Sequence, residues 1–159
     1  DYKVTGVQTC ALPISRNKAY FGSVLHFMRS LYDMRLSEEG YEIQFIVKVN
    51  TADTALKLKD YYSALRFDAA DSISPVRIRP NQSSVGILYK KEKPETAYLQ
   101  ENAGEPAAFQ FSVMNFQLGS VITIEQNGYY YEQNDITTSG YWGWTKMADA
   151  LPYDYEAPL

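Results

Sequence analysis

The sequence has few of the residues that build metal sites, with one cysteine, Cys10, and one histidine, His26. A zinc peptidase holds its metal with two imidazoles and a carboxylate, so a site of that kind is excluded. The sequence also has no cluster of metal-ligating residues, no phosphate-cradling glycine-rich loop and no serine elbow. We therefore expect no metal and no other cofactor.

Two further absences concern membranes and nucleic acids. No apolar run reaches the roughly 18 residues that a membrane-spanning helix needs. The 15 Lys and Arg residues are outnumbered by 19 Asp and Glu, the net charge is −4, and no basic stripe is present. We therefore expect no transmembrane helix and no nucleic-acid partner.

The first residues have an unusual origin. Residues Val4 to Ile14 read VTGVQTCALPI, which is similar, residue for residue, to the translation of a short-read sequencing adapter. We interpret residues 1–14 as an adapter-derived, non-biological segment and expect them to have no consistent structural partner. Cys10 lies within this segment, so the remainder has no disulfide and no thiol chemistry. Residues 15–159 are predicted to form a single α+β domain, the C-terminal fragment of a longer protein.

Aromatic residues are abundant, with 14 Tyr, 7 Phe and 2 Trp, which favours a β-rich domain. One long helix is predicted over Asn17–Glu39, with Asn17 as its N-cap and Gly40 as a left-handed C-terminal cap. Its apolar stripe recurs every three or four residues and consists of Tyr20, Val24, Phe27, Met28, Leu31 and Tyr32.

Most of the remaining elements are predicted strands. Alternation predicts strands over Tyr41–Val49 and Phe109–Phe116, the latter with Phe109, Phe111 and Val113 on one face. Shorter strands are predicted at Val76–Ile78 and Val85–Tyr89, and a short helix stripe at Ala55, Leu58, Tyr62 and Leu65.

The C-terminal third contains a hairpin signal. Asn127-Gly128, between Val121–Glu125 and Tyr129–Glu132, predicts a tight turn because both residues tolerate positive φ. A short helix is predicted from Trp144 to Leu151, ended by Pro152. The predicted fold is α+β, a mainly antiparallel sheet with one long helix packed on it and a short C-terminal helix.

Three segments resemble a family of bacterial envelope proteins, the carboxypeptidase-like regulatory domain-containing proteins. They are RNKAYFGSVLHFMRSLYDMRLSEEGYEI (Arg16 to Ile43), LYKKEKPETAYLQ (Leu88 to Gln100) and NGYYYEQNDITTSGYWGWTKMADALPYDYEAP (Asn127 to Pro158). The resemblance implies a periplasmic or cell-surface location in a Gram-negative bacterium. It also implies a missing N-terminal partner, a signal peptide and a small β-sandwich domain. It does not imply peptidase activity.

His26 has two interpretations. The first is a structural histidine that is hydrogen-bonded within the fold, with Arg29 in the same structural network. The second is a catalytic base, which would need an oriented carboxylate nearby. Adjacent acidic pairs suited to a glycosidase dyad are Glu38 with Glu39, Glu92 with Glu95 and Asp68 with Asp71, and solvated surface charges are the favoured interpretation for all of them.

Binding potential lies in the C-terminal aromatic residues. If the last strand reaches Trp144, then Trp142 and Trp144 share a face and Tyr141 lies opposite. Together with Tyr130 these rings form a candidate surface for a glycan or a peptide, while burial would make them core. The leading hypothesis is a non-enzymatic structural or ligand-binding module of a Gram-negative cell-envelope protein. The alternatives are a hydrolase that uses His26 and a carboxylate on an envelope polymer, and a piece that only packs against the missing N-terminal half.

Overall fold

The computed structural model describes residues 18–145 and 151–158, so the adapter-like residues 1–14 lie outside the described ranges. The strands are β1 (Tyr41–Val49), β2 (Ala52–Lys57), β3 (Asp68–Ala69), β4 (Val76–Ile78), β5 (Ser84–Tyr89), β6 (Gln110–Phe116), β7 (Ile122–Ile124) and β8 (Ile136–Gly140). They form an antiparallel sheet in the order β2-β1-β5-β6-β8 and a smaller one in the order β3-β4-β7. The helices are α1 (Val24–Tyr32), α2 (Tyr61–Ala64), α3 (Thr96–Glu101) and α4 (Tyr141–Thr145), with a 3-10 turn at Gln133–Asp135.

The long helix predicted over Asn17–Glu39 is wrong, because the chain breaks it at Gly22. Residues 18–20 are helical, but Gly22 has a φ of +87°, which an α-helix does not contain. Ser23 then starts α1 as its N-cap, since its Oγ accepts a hydrogen bond from the His26 backbone N–H at 3.2 Å. The predicted cap, Asn17, lies outside the described residues.

Helix α1 also ends earlier than predicted. Asp33 caps it, and Met34 follows with a left-handed φ of 55°. A separate turn over residues 36–40 leads into β1, and its last residue, Gly40, has the predicted left-handed conformation with a φ of +100°. A nine-residue helix therefore packs against the sheets, and the predicted architecture with one long helix is wrong.

Strand β1 confirms its predicted bounds, and its alternation buries Tyr41, Ile43 and Phe45. The strands predicted at Val76–Ile78 and Val85–Tyr89 are also confirmed, the latter one residue longer. One core joins α1 to both sheets, and each fully buried side chain contributes about 1.5–3 kcal/mol relative to exposure. Its centre consists of Met28, Leu31, Leu36, Ile43, Ile78, Ile122 and Ile124.

The helix stripe predicted at Ala55, Leu58, Tyr62 and Leu65 is mostly wrong. Its first part is the strand β2, which forms a hairpin with β1. The turn residues Asn50 and Thr51 both have positive φ, 51° and 68°, which suits a two-residue hairpin. Pairing with β1 therefore overrides the three- and four-residue spacing, and only α2 is helical in this region.

Strand β6 forms one residue shorter than predicted, and the two groups of alternating residues lie on opposite faces of the sheet, as the sequence indicates. Gln110, Ser112, Met114 and Phe116 are buried, while Phe111 and Val113 lie on the other, half-buried face of the sheet. Both faces carry apolar residues, so alternation alone does not fix the phase. The two buried polar side chains are satisfied: Gln110 Nε2 donates to the Lys93 carbonyl at 3.2 Å, and Ser112 Oγ accepts from the Trp142 backbone N–H at 3.1 Å.

The hairpin at Asn127-Gly128 is present in a different form. Only Gly128 has positive φ, at +93°, so the turn is not the two-residue type in which both residues are left-handed. The Gly128 N–H donates to the Glu125 carbonyl at 3.0 Å, and the second strand is reduced to one bridge between Tyr130 and Ile124.

The C-terminal helix begins earlier than predicted. Strand β8 ends at Gly140, whose φ is +71°, and α4 starts at Tyr141. The condition under which Trp142 and Trp144 would share a strand face, a strand that reaches Trp144, is therefore not met. The rest of the predicted helix includes residues 146–150, which lie outside the described part of the chain.

Candidate ligand-binding cavity

A cavity of about 550 Å³ lies between α1 and the C-terminal segments. This volume falls within the ~300–1,000 Å³ that is typical of small-molecule sites. Five parts of the chain border it: residues 18–25, the loop after β5, the start of β6, the segment from Gly128 to α4, and the tail. Its aromatic lining consists of Phe21, Tyr130, Tyr141, Trp142 and Tyr153, and its polar lining includes Lys18, Glu92, Lys93, Glu95, Gln110, Gln133 and Thr138.

Three of the four aromatic residues singled out from the sequence line this cavity, namely Tyr130, Tyr141 and Trp142. Trp142 is 3% exposed and Tyr141 7%, so they form its inner wall rather than an open stacking surface. Trp144 is not among the cavity residues. Its ring packs on Tyr98 with 5.5 Å between centroids, and its Nε1 donates to Glu101 at 2.9 Å.

Tyr130 offers the cavity a polar group. Its half-buried ring lines the cavity, and burial raises the pKa of its hydroxyl above the ordinary value. No residue in the described ranges hydrogen-bonds this hydroxyl, whereas the neighbouring Tyr131 hydroxyl donates to the Glu125 carboxylate. Because this hydroxyl is partly removed from water and has no partner among the described residues, it is suited to bind a ligand.

Gly22 holds the wall of the cavity to the core. Its carbonyl accepts a hydrogen bond from Trp142 Nε1 at 2.6 Å, and its N–H donates to His26 Nδ1 at 3.0 Å. A Cβ at this position would lie 2.7 Å from Gln110 Oε1 and 2.7 Å from the Tyr89 ring. Glycine is therefore required both by the positive φ and by the close approach.

His26 forms a buried network behind this wall. Its ring is 3% exposed, and it packs among the rings of Tyr20, Phe21, Tyr41 and Tyr89. Its Nε2 lies 2.8 Å from Glu39 Oε1, and its Nδ1 lies 2.9 Å from the Tyr41 hydroxyl. Because the Gly22 N–H donates to Nδ1, the neutral tautomer carries its proton on Nε2 and donates it to Glu39.

The charges of this pair follow from its surroundings. Burial lowers the pKa of His26, and this effect exceeds the opposing one from the hydrogen bond to Glu39. The hydrogen bond from His26 lowers the pKa of Glu39, with a smaller opposing effect from burial. A neutral imidazole that donates to a carboxylate accounts for both directions. Both ring nitrogens contact protein groups, as the structural interpretation of His26 requires.

Arg29 joins α1 to the C-terminal segments. Its Nε donates to the Asn127 carbonyl at 2.9 Å, and one of its terminal nitrogens donates to the Tyr153 carbonyl at 2.9 Å. Its guanidinium also lies 5.6 Å from the centre of the Tyr20 ring. Gly128 rests on α1, where a Cβ would lie 2.7 Å from Leu25 Cδ1. These contacts fix the hairpin that carries Tyr130.

The acidic pairs that the sequence suggests for catalysis have different surroundings in the structure. Glu39 is bound to His26, while Glu38 is exposed. Asp71 accepts hydrogen bonds from the backbone N–H groups of Ile73 and Ser74, so it stabilises a turn. Among the residues that the structure describes, no group of three or more His, Cys, Asp or Glu residues is arranged to hold a metal ion.

Glu92 and Glu95 both line the cavity. Glu95 forms an ion pair with Lys18 at 3.7 Å. Burial raises the pKa of Glu92, with a smaller opposing effect from Lys18. Glu92 is therefore a carboxyl group that is partly removed from water and available to accept hydrogen bonds from a ligand.

Sequence reasoning missed Gln110 and Gln133 as cavity residues. The sequence separates Gln110 from the face that carries Phe111 and Val113, but it does not show which of the two faces of β6 is buried. Gln133 lies in the 3-10 turn, and its Nε2 donates to the Tyr130 carbonyl at 2.7 Å. Nothing in the local sequence indicates that this turn borders a cavity.

No family model, curated protein or solved structure matches this chain. The resemblance to carboxypeptidase-like regulatory domain-containing proteins therefore stays a prediction. Within residues 18–145 and 151–158, no helix is both long and apolar enough to cross a membrane.

Proposed function

We propose that this chain is a non-enzymatic ligand-binding module of a Gram-negative cell-envelope protein, in the periplasm or at the cell surface. The observation that carries the binding role is the 550 Å³ cavity, which combines aromatic walls with hydroxyl, amide and carboxyl groups. The envelope location rests on the resemblance of the three segments. An N-terminal β-sandwich domain of the same protein is proposed as a partner on the same ground.

A short glycan is the ligand that this lining favours. Sugar rings present apolar faces to aromatic side chains, and their hydroxyls pair with the Tyr130 hydroxyl, Glu92 and the amide of Gln133. The charged residues around the cavity are two lysines, Lys18 and Lys93, and two glutamates, Glu92 and Glu95. Because the positive and negative charges are equal in number, the lining does not require a charged ligand, and a neutral one fits it.

A glycan array followed by calorimetry on the bound fragments tests this proposal. Tyr130→Phe removes the hydroxyl that points to no described partner, so we expect weaker binding by roughly tenfold, about the loss of one hydrogen bond. Tyr131→Phe is the matched control, because that ring is 53% exposed and does not line the cavity. Binding of peptides in place of glycans, or equal effects of both variants, contradicts the proposal.

The second candidate is a hydrolase that uses His26 and a carboxylate, favoured by the 2.8 Å contact between His26 and Glu39. Catalysis would require Nδ1 to leave the Gly22 N–H, because that nitrogen carries the lone pair. Turnover of an envelope glycan that His26→Gln abolishes would support the hydrolase and refute the non-enzymatic proposal.

A further inference from the structure

Strand β2 forms an open edge of the larger sheet. It pairs with β1 on one side, and no strand in the described ranges pairs with the other. All six of its residues are exposed, and its register with β1 is continuous from Val49↔Ala52 to Gln44↔Lys57. The strand contains no proline or bulge, two of the devices that protect a sheet edge, and its charged residues are Asp53 and Lys57. Such an edge offers backbone N–H and C=O groups to another strand.

The alternation of β2 restricts how it can pair with itself. Side chains that lie directly opposite each other in antiparallel strands point to the same face of the sheet, whereas neighbours along one strand point to opposite faces. In a symmetric pair of β2 strands, an odd-numbered residue therefore faces an odd-numbered one, and an even-numbered residue faces an even-numbered one. One residue must therefore face its own copy across the twofold axis. The choice of that residue determines which side chains face each other along the rest of the two strands.

Charge complementarity selects one of these registers. With the axis at Ala55, Asp53 faces Lys57 of the second copy, and Lys57 faces Asp53 of the second copy. An axis at Asp53 or at Lys57 places like charges together, and an axis at Thr54 opposes Asp53 to Ala55. An axis at Leu56 opposes Asp53 to Lys59, which lies beyond the end of β2. The register at Ala55 thus gives two opposite-charge pairs of a kind that stabilises antiparallel strands.

The charges next to the edge extend this pattern. Lys48 on β1 forms an ion pair with Asp53 at 2.8 Å, whereas Lys57 forms no ion pair within 4.0 Å among the described residues. Lys57 acts on the Glu42 carboxylate only through space, so its ammonium group is able to face a second strand. In the paired sheet Asp53 lies between Lys48 of its own chain and Lys57 of the second copy.

The other face of β2 is compatible with the same register. Leu56, which is 51% exposed, faces Thr54 of the second copy, and Ala52 faces Leu58. Pairing covers part of an apolar surface that the isolated hairpin leaves in water. No bulky or like-charged pair arises on this face.

We propose that the chain forms a homodimer in which two β2 strands pair antiparallel about Ala55, joining the larger sheets of both copies. The contact between two six-residue strands is small, so we expect a dissociation constant in the micromolar to millimolar range.

Sedimentation equilibrium of the full chain tests this dimer, with a reducing agent present so that Cys10 cannot link two chains. Lys57→Glu places a second carboxylate against Asp53 of the other copy, and Asp53→Lys places a second ammonium group against Lys57 of the other copy. Each variant dimer therefore carries two like-charge pairs, and we expect each substitution to raise the dissociation constant about tenfold. Mixing the two variants restores opposite charges at both positions, so the mixture should dimerise as the original chain does.

Lys59→Glu is the matched control, because Lys59 carries the same charge just beyond β2. It faces Asp53 only if the axis lies at Leu56, so in the proposed register it leaves the dimer unchanged. A chain that is monomeric at every concentration overturns the proposal. Indifference to Lys57→Glu, no recovery in the mixture, or equal weakening by Lys59→Glu overturns it as well. Lys57→Glu carries the test alone if Asp53→Lys does not fold.

Discussion

Replacing His26 by Phe removes the polar centre of the molecule while it keeps an aromatic ring of similar size. In the native chain the two ring nitrogens contact the Gly22 N–H at 3.0 Å and Glu39 at 2.8 Å. The Tyr41 hydroxyl lies 2.9 Å from Nδ1 and has a second acceptor, the Ser23 carbonyl at 3.4 Å. The substitution therefore leaves chiefly the Gly22 N–H without its partner.

The expected loss of stability is the sum of two effects. A buried N–H without a partner costs about 1–3 kcal/mol, and the hydrogen bond to the Glu39 carboxylate contributes about 1 kcal/mol. Glu39 is 30% exposed and lies 3.6 Å from Arg35, so water and that cation replace part of its interaction. We expect His26→Phe to lower the free energy of unfolding by about 2–4 kcal/mol at pH 7.

This loss depends on pH in a defined direction. Burial places the pKa of His26 in the folded chain below the ordinary value of 6.5. As the pH falls below 6.5, the unfolded chain binds a proton that the folded chain does not, so the original protein loses stability. His26→Phe has no such proton to bind. The difference between the two proteins should therefore shrink from pH 7 to about pH 5.

Urea unfolding followed by tryptophan fluorescence at several pH values measures both effects. Glu39→Gln is the companion variant, because its amide oxygen still accepts the Nε2 proton, and it should cost less than His26→Phe. A His26→Phe protein as stable as the original, or a difference that stays constant with pH, refutes the buried neutral histidine.

Two further predictions concern the hairpin and the first residues. Gly128→Ala should cost about 2–3 kcal/mol in urea unfolding, because the residue has positive φ and its Cβ would lie 2.7 Å from Leu25 Cδ1. Gly104→Ala shares the positive φ but meets nothing within 4 Å, so it should cost less, and equal losses would refute the contact with α1. Deleting residues 1–14 should leave the free energy of unfolding unchanged within about 0.5 kcal/mol, as expected for an adapter-derived segment; a larger loss would contradict that interpretation.

The sequence predicts elements best where one local pattern acts alone. Strand β1 alternates apolar and polar residues over its length, and its bounds are confirmed. The break in the predicted long helix also has a local signal, since Ser23 after Gly22 is a typical start of a helix. The apolar stripe continues across that break, so periodicity alone joins two segments that the backbone separates.

The remaining errors arise where distant contacts decide. In Ala52–Lys57 the pairing with β1 outweighs a helix-like spacing. In β6 the alternation leaves open which face points inward, and that choice depends on partners more than ten residues away, such as the Lys93 carbonyl for Gln110. For the candidate site, the sequence identifies Tyr130, Tyr141 and Trp142 as aromatic residues with binding potential. It does not place Glu92 or Gln133 beside them, because separate loops bring these side chains together.

Gly22 connects the stability of the fold to the proposed binding site. Its N–H is held by His26, and its carbonyl holds the indole of Trp142 in the cavity wall. Loss of the first hydrogen bond frees the Phe21–Gly22 peptide, which adjoins the Gly22–Ser23 peptide whose carbonyl binds the indole, so His26 acts on the cavity without lining it. Binding should consequently weaken in His26→Phe even where the protein remains fully folded, and the Tyr130 hydroxyl should contribute less in that background than in the original chain. The losses of binding free energy from His26→Phe and Tyr130→Phe should therefore not add in the double variant. Additive losses would indicate that the two residues act independently and that Gly22 does not couple them.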